Sequence, residues 1–321
     1  QGSNLTIDNS TFNTGKGSYV QESGGLIQVA DSGEFHLKNS TLNGSGVGWN
    51  ETGANKTAKY GGAIVFYDDS SVTATIENTT IKNFTAEISG GGIALNTQVG
   101  KNGGTNLTLI DTKILNNLAY AYNMTAYGGG IFVGQGNTVT MKGGQISSEQ
   151  SSSVGGGIYN EGKVTLTKSE KGNAQIVNNK AYHMAAGVLN DGELIVDYAN
   201  FSGNAKGDWS NANQHVYKKD EMAGENIYAV KDVTITPNAK FDGKDVRILD
   251  DQSKIILTGK LTKQINVSIS EASKKQPDKT INDPRYPLHP KFNESQNRKV
   301  GYIVAAGDGS YTPTAEDAKQ I

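Results

Sequence analysis

A four-residue element rich in glycine and ending in an aliphatic residue recurs along this chain. It reads Gly24-Gly25-Leu26-Ile27, Gly61-Gly62-Ala63-Ile64, Gly90-Gly91-Gly92-Ile93, Gly128-Gly129-Gly130-Ile131 and Gly155-Gly156-Gly157-Ile158. Degenerate copies follow at Ala185-Ala186-Gly187-Val188 and Gly224-Glu225-Asn226-Ile227. The intervals between the last residues of these copies are 37, 29, 38, 27, 30 and 39. A unit of that size is one supersecondary piece, too small to bury its own apolar face. It is stable only when stacked on its neighbours.

A second pattern sits between the tetrads. An alternating apolar run is followed by a polar pair, another apolar residue and often Asn. Leu5-Thr6-Ile7 leads to Phe12-Asn13, Val72 to Ile76 leads to Ile81 and Asn83, and Leu107-Thr108-Leu109 leads to Ile114 and Asn116-Asn117. Val164-Thr165-Leu166 and Leu194-Ile195-Val196 repeat it. Period-2 alternation and β-branched content argue for strands and against the helical repeats of similar length. The expected fold is all-β, a right-handed parallel β-helix (β-solenoid) of about 8–10 coils, each with three short strands. Inward Ile, Val, Leu and Phe would form columns, Gly would permit the corners, and corner Asn would ladder its amide from coil to coil.

Composition fits a thin core. Of the 321 residues 35% are hydrophobic, below the roughly 45–50% of ordinary domains, yet the chain is not charged enough for disorder. A single solenoid domain over 1–321 is therefore expected, where a compact fold of this length would divide in two. A net charge of -2 gives no reason to invoke nucleic acid or an anionic membrane. No apolar run approaches a bilayer span. Leu5 to Phe12 already reads as a strand with no signal peptide before it, so the chain is expected to begin inside a larger protein. The absence of Cys is in keeping with a Gram-positive surface protein.

The tetrads, with Phe201-Ser202-Gly203-Asn204 as an FxxN element, resemble the polymorphic β-helical repeats of bacterial surface adhesins. The tail is similar to the ends of such domains in Gram-positive cell-wall proteins: Ile255 to Thr262, Ile265 to Ile269, Val300 to Ala306, then Tyr311 to Asp317. Binding regions of lactobacillus serine-rich-repeat adhesins and streptococcal matrix-binding β-helices are the nearest comparisons. The resemblance implies a pectate-lyase-like solenoid fold and a secreted protein at the bacterial cell surface, held to the cell wall through regions outside this segment. It also implies roles in adhesion or biofilm, and makes pectin-like polymers one candidate ligand.

A solenoid displays its insertions along one edge, usually the working one. Here they fall between the Asn-bearing strand end and the next tetrad, at 13–23, 43–60, 119–127, 147–154, 181–184 and 205–223. Stacked, they would form a wall holding Tyr19, Trp49, Tyr60, Tyr120, Tyr122, Tyr127, Tyr182, Trp209 and Tyr217, nine of the sixteen Trp and Tyr residues. His183 and His215 lie in the same slots, His36 and His289 elsewhere. Flat rings in polar loops stack on the apolar faces of sugars, while the same rings also serve to cover core edges beneath long loops. A further insertion at 274–299 carries four of the six Pro, with Arg285 and Lys291 among its basic residues, and is expected to be an extended loop. The candidate ligand-binding set is Trp49, Tyr60, Tyr120, Tyr122, Tyr127, Tyr182, His183, Trp209, His215, Tyr217, Arg285 and Lys291.

Catalysis by this fold class needs carboxylates placed for acid–base work, or Ca²⁺ held by several of them. Asp68-Asp69 and Asp250-Asp251 are the only Asp pairs, and adjacent strand residues face opposite ways. Arg is limited to Arg247, Arg285 and Arg298. His183 and His215 have no carboxylate at a readable spacing, and exposed loop histidines are the expectation. The chain is read as a non-enzyme without cofactor or metal. Asn-x-Ser/Thr sequons at Asn4, Asn9, Asn39, Asn50, Asn55, Asn78 and Asn106 are attributed to the polar corners of a solenoid. Three functions follow in order: an adhesin recognising host mucin, epithelial or acidic glycans through the loop wall; a protein-binding or self-associating adhesin; and a polysaccharide lyase or hydrolase.

Overall fold

Between Gly61 and Gly90 the chain makes one circuit through four short strands: Ile64–Phe66, Ser71–Glu77, Thr80–Lys82 and Thr85–Ser89. The tetrad Gly90-Gly91-Gly92-Ile93 then returns it to the start of the next circuit, one strand spacing away, at Ile93–Leu95. The computed structural model describes residues 3–15, 24–47, 57–121, 125–151, 153–206, 226–242, 246–248, 253–260, 265, 267–269 and 303–305.

Equivalent strands pair in parallel, giving four sheets and no helix among the described residues. A back sheet of nine strands begins with Ile27–Val29 and Ile64–Phe66. A front sheet of ten includes Ser32–Lys38 and Ser71–Glu77, a side sheet of eight includes Thr41–Asn43 and Thr80–Lys82, and a strap sheet of six includes Ala58–Tyr60 and Thr85–Ser89. The coil count implied by the front sheet matches the expected range. Three strands per coil does not: the slot read as loop insertion contains the strap sheet. Its strands are two to five residues long and of mixed composition, too short to show a period.

The tetrads stack as expected. Their last residues align in one back-sheet column through Ile64, Ile93, Ile131, Ile158, Val188 and Ile227, so the degenerate copies hold register too. These residues share one buried core with Leu37, Ile76, Leu109, Met141, Leu166 and Val196 from the front sheet and Leu42, Ile81, Ile114, Ile146 and Ile176 from the side sheet. Unequal repeat intervals leave this column in register.

Corner asparagines form the expected ladders. At the front–side corner Asn39 Nδ2 donates to Asp8 Oδ1 at 2.9 Å, and Asn78 Nδ2 to Asn39 Oδ1 at 2.8 Å. Both residues have left-handed backbones, with φ of 48° and 47°, a conformation Asn tolerates better than most residues. Ser40 and Thr79 follow with buried hydroxyls that donate to Lys38 and Glu77 carbonyls. The corner thus favours Asn-Ser/Thr-Thr, which accounts for the sequons at Asn39 and Asn78, while Asp111-Thr112 takes the same place in the next coil with a φ of 49° at Asp111. A second ladder runs Asn116→Asn83→Asn43→Asn13, amide to carbonyl oxygen.

Candidate functional site

Three of the four described tyrosines of the aromatic wall, Tyr60, Tyr120 and Tyr127, are buried. Tyr60 and Tyr127 are 5% and 9% exposed and belong to a second apolar cluster with Val65, Ile88, Phe132, Val154, Tyr159, Met184, Leu189 and Tyr228. The outward residues of the back sheet, Val65, Ala94, Phe132, Tyr159, Leu189 and Tyr228, are covered rather than wet. The strap segments supply that cover. Tyr127 lies edge-on to Tyr159 at 4.8 Å, and Tyr159 stacks on Phe132 at 5.5 Å. These rings bury apolar area on both sides of one sheet, so the core-edge role explains them.

Tyr120 is buried, Tyr182 is half-buried with its phenol pushed above the usual tyrosine range by desolvation, and His183 is only 4% exposed. The expectation of an exposed loop histidine is therefore corrected for His183, which is buried just after the strap strand Lys180–Ala181 and donates its N–H to Ser153 O. Trp49, Tyr122, Trp209, His215, Tyr217, Arg285 and Lys291 lie outside the described residues, as do half of the 43–60 insertion, most of 205–223 and all of 274–299.

One buried carboxyl interrupts a third ladder, at the side–strap corner. Asn117, Glu149, Asn179, Asn204 and Asn226 are all fully buried. Phe84 N–H donates to Asn117 Oδ1, Glu149 N–H to Asn179 Oδ1, and Asn179 N–H to Asn204 Oδ1. At Glu149 the two carboxyl oxygens take this role, accepting Asn117 N–H at 2.7 Å and Asn117 Nδ2 at 3.2 Å. Burial pushes the Glu149 carboxyl well above the usual carboxylate range, against the opposing pull of these two donors. A raised folded-state pKa stabilises at acid pH, and that contribution is lost as pH rises through it.

Glu149→Asn is therefore expected to stabilise the coil by about 1–3 kcal/mol in alkaline solution. The shorter amide restores the donor and acceptor pattern of Asn179, whose Nδ2 bonds Ile146 O and Asn204 Oδ1. Melting temperatures across the pH range check this. The variant should gain on the parent as pH rises and converge with it in acid.

The described surface also holds an open groove of about 740 Å³ where the back sheet turns into the front sheet. Glu161, Gly162, Gly192, Glu193, Lys231, Asp232 and Thr234 line it, with Val230 and Ile256 as apolar floor. Three successive corners build it, Asn160-Glu161-Gly162-Lys163, Asn190-Asp191-Gly192-Glu193 and Val230-Lys231-Asp232. At this corner Asn160 Nδ2 donates to Asn190 Oδ1 at 2.7 Å. Gly192 must be glycine here, since a Cβ would stand 2.1 Å from Gly162 O. Each carboxylate is engaged. Glu161 accepts Gly100 N–H at 2.8 Å and pairs with Tyr159 Oη at 3.2 Å, Glu193 meets Lys163 at 2.7 Å, and Asp232 accepts Lys254 N–H at 2.8 Å. None of these residues belongs to the sequence-derived candidate set. The one signal for them was the Asn-acid-Gly corner repeated thirty residues apart.

The fold thus defines the class, an all-β stack of four parallel sheets of solenoid type with a groove at one corner. No family model, curated protein or solved structure matches this chain.

Proposed function

We propose that this chain is a non-catalytic, extracellular adhesive module that binds carbohydrate, carried on a bacterial cell surface and anchored through regions outside this segment. We take its coils to be right-handed, the sense adopted by about 98% of parallel crossover connections. The observation that carries the reading is the corner groove: an open trough lined by carboxylates, a lysine and a threonine over a short apolar floor. Carbohydrate sites use this mixture, with carboxylates accepting hydroxyl hydrogens and apolar groups covering C–H faces.

Three carboxylates against one lysine favour neutral or amino sugars over acidic, pectin-like polymers. The non-catalytic reading is supported by the structural work of the groove carboxylates, since Glu161 and Asp232 accept backbone N–H groups of other coils.

Thr234→Arg fills the trough from an outward, half-exposed position. It is expected to lower glycan-array signal at least tenfold with an unchanged melting temperature. Undiminished binding would move recognition to another surface. Reducing ends or unsaturated products released from a polysaccharide panel would replace the adhesive reading with an enzymatic one.

A further inference from the structure

The outer face of the front sheet is laid out in rows by the pairing register. One row runs Glu34, Thr73, Asn106, Thr138, Lys163. The middle row runs His36, Thr75, Thr108, Thr140, Thr165, and the third runs Lys38, Glu77, Ile110, Lys142, Thr167. These residues alternate with buried Phe35, Leu37, Ala74, Ile76, Leu107, Leu109, Val139, Met141, Val164 and Leu166, so they face solvent. The back sheet's outer face is covered by the strap, whereas the outward residues of this one are intermediate or exposed among the described residues.

We infer that this face docks on the same face of a second copy of the chain, about a two-fold axis lying along strand Asn106–Ile110. Rotation about such an axis reverses the order of the strands and keeps their direction, so each row lies over itself from the opposite end. Glu34 then meets Lys163 of the other copy, and Glu77 meets Lys142. The symmetry makes each pair twice, giving four opposite-charge contacts and no like-charge contact over the five strands. Thr75 lies over Thr140, Thr108 over Thr108 and Ile110 over Ile110 at the centre.

Other axes make fewer such contacts over the same five strands. An axis between strands Asn106–Ile110 and Thr138–Lys142 sets Glu77 against Thr167 and Lys142 against Ile110. An axis along the solenoid sets Glu34 against Lys38 but leaves Glu77 against Thr73 and Lys142 against Thr138. A row pattern complementary to itself under one two-fold is what an isologous contact requires. Among the described residues, neither Glu77 nor Lys142 takes part in an ion pair within the chain. Lys163 already meets Glu193, and Glu34 meets His36 at 3.6 Å, but both pairs are exposed and weak.

Five strands at about 4.8 Å and five residues at about 3.4 Å make a patch of roughly 400 Å² per copy. Roughly 800 Å² in total lies below the range of stable standard interfaces, among weak and transient ones. The contact is therefore salt-sensitive and gains strength when many copies are displayed together. The two copies run antiparallel along their long axes, as molecules projecting from facing surfaces would.

Sedimentation velocity of the whole chain over a range of concentrations, at low and high salt, tests the inference. The parent should dimerise at low salt and dissociate at high salt. Glu77→Lys and Lys142→Glu should each weaken dimerisation at least tenfold. The double variant should restore it, and so should mixing the two single variants, because each then supplies the charge the other lacks. That mixing arm also shows that both single variants are folded. A parent that stays monomeric at low salt would overturn the proposal, as would dimers indifferent to the single charge reversals. Neither Glu77 nor Lys142 lines the corner groove, so the two charge reversals should leave glycan binding there unchanged and separate the two readings.

Discussion

Gly129→Ala is expected to destabilise the chain by about 3 kcal/mol or more, although it adds a single methyl group at a position with an ordinary backbone conformation. A Cβ there would stand 2.3 Å from Gln150 O, 2.4 Å from Gly156 O and 2.6 Å from Gln150 C. All three are backbone atoms of the next coil, held by parallel pairing, and no side chain can swing away. Relief requires the coils to separate, which breaks Gly129 N–H to Gly155 O and Gly130 N–H to Gly157 O at once. Gly104→Ala is the control: its Cβ would meet nothing closer than 3.4 Å, so the change should stay within about 0.5 kcal/mol. Thermal melts of the two variants give the comparison. Hydrogen exchange locates the loss, which should spread from coils 118–133 and 146–160 to their immediate neighbours as nearest-neighbour coupling predicts. Equal melting temperatures for the two variants would mean that the stacked tetrads yield to an added Cβ.

Tyr159→Ala should cost about 3–5 kcal/mol, and the loss should appear as stability rather than as ligand affinity. Tyr159 is fully buried between sheet and strap, stacked on Phe132 and edge-on to Tyr127. Removing the ring leaves a cavity flanked by two aromatic partners, and takes away the hydroxyl at Glu161 Oε1. Tyr159→Phe separates the two effects, retaining the packing and losing about 1 kcal/mol with the hydrogen bond. Tyr127→Ala follows the same logic and bears on the wall reading: an unchanged melting temperature with lost glycan binding would restore that residue to a ligand-contacting role. Denaturant or thermal unfolding measured beside a glycan array distinguishes these results.

The solenoid was legible because its signals are local and repeated. Tetrads ending at Ile64, Ile93, Ile131 and Ile158 announce a column, and alternation at Leu107-Thr108-Leu109 announces which side faces it. Asn at a corner carries both the left-handed backbone and the amide needed for a ladder, so Asn39 and Asn78 could be read for conformation and for hydrogen bonding together. The strap sheet was not legible. Lys180–Ala181 and Leu118–Ala119 are strands of two residues, and no periodicity exists in two residues. Their conformation is imposed by the neighbouring coil, through bonds such as Tyr120 N–H to Ala86 O.

The same limit explains the aromatic residues. Tyr60 and Tyr127 precede a tetrad in polar surroundings, which in sequence is indistinguishable from an exposed recognition loop. Whether such a ring meets water or Phe132 depends on the side to which the strap folds, and the residues that decide it are supplied by other coils. Glu149 is a further case, since only the stacking of Asn117 below and Asn179 above makes it a carboxyl in an amide ladder. The groove and the charge rows of the front sheet are likewise products of register, joining residues about thirty positions apart.

By itself the sequence determined the all-β class, the stacking of coils on the tetrad column, the inward alternation and the corner chemistry, because each is set by residues within one repeat. Only the tertiary structure decided that the strap closes over the back sheet, that Tyr60, Tyr127 and His183 turn inward, and which outward residues become neighbours. Those outcomes depend on the register between coils, and register is a property of pairs of repeats that no single repeat contains.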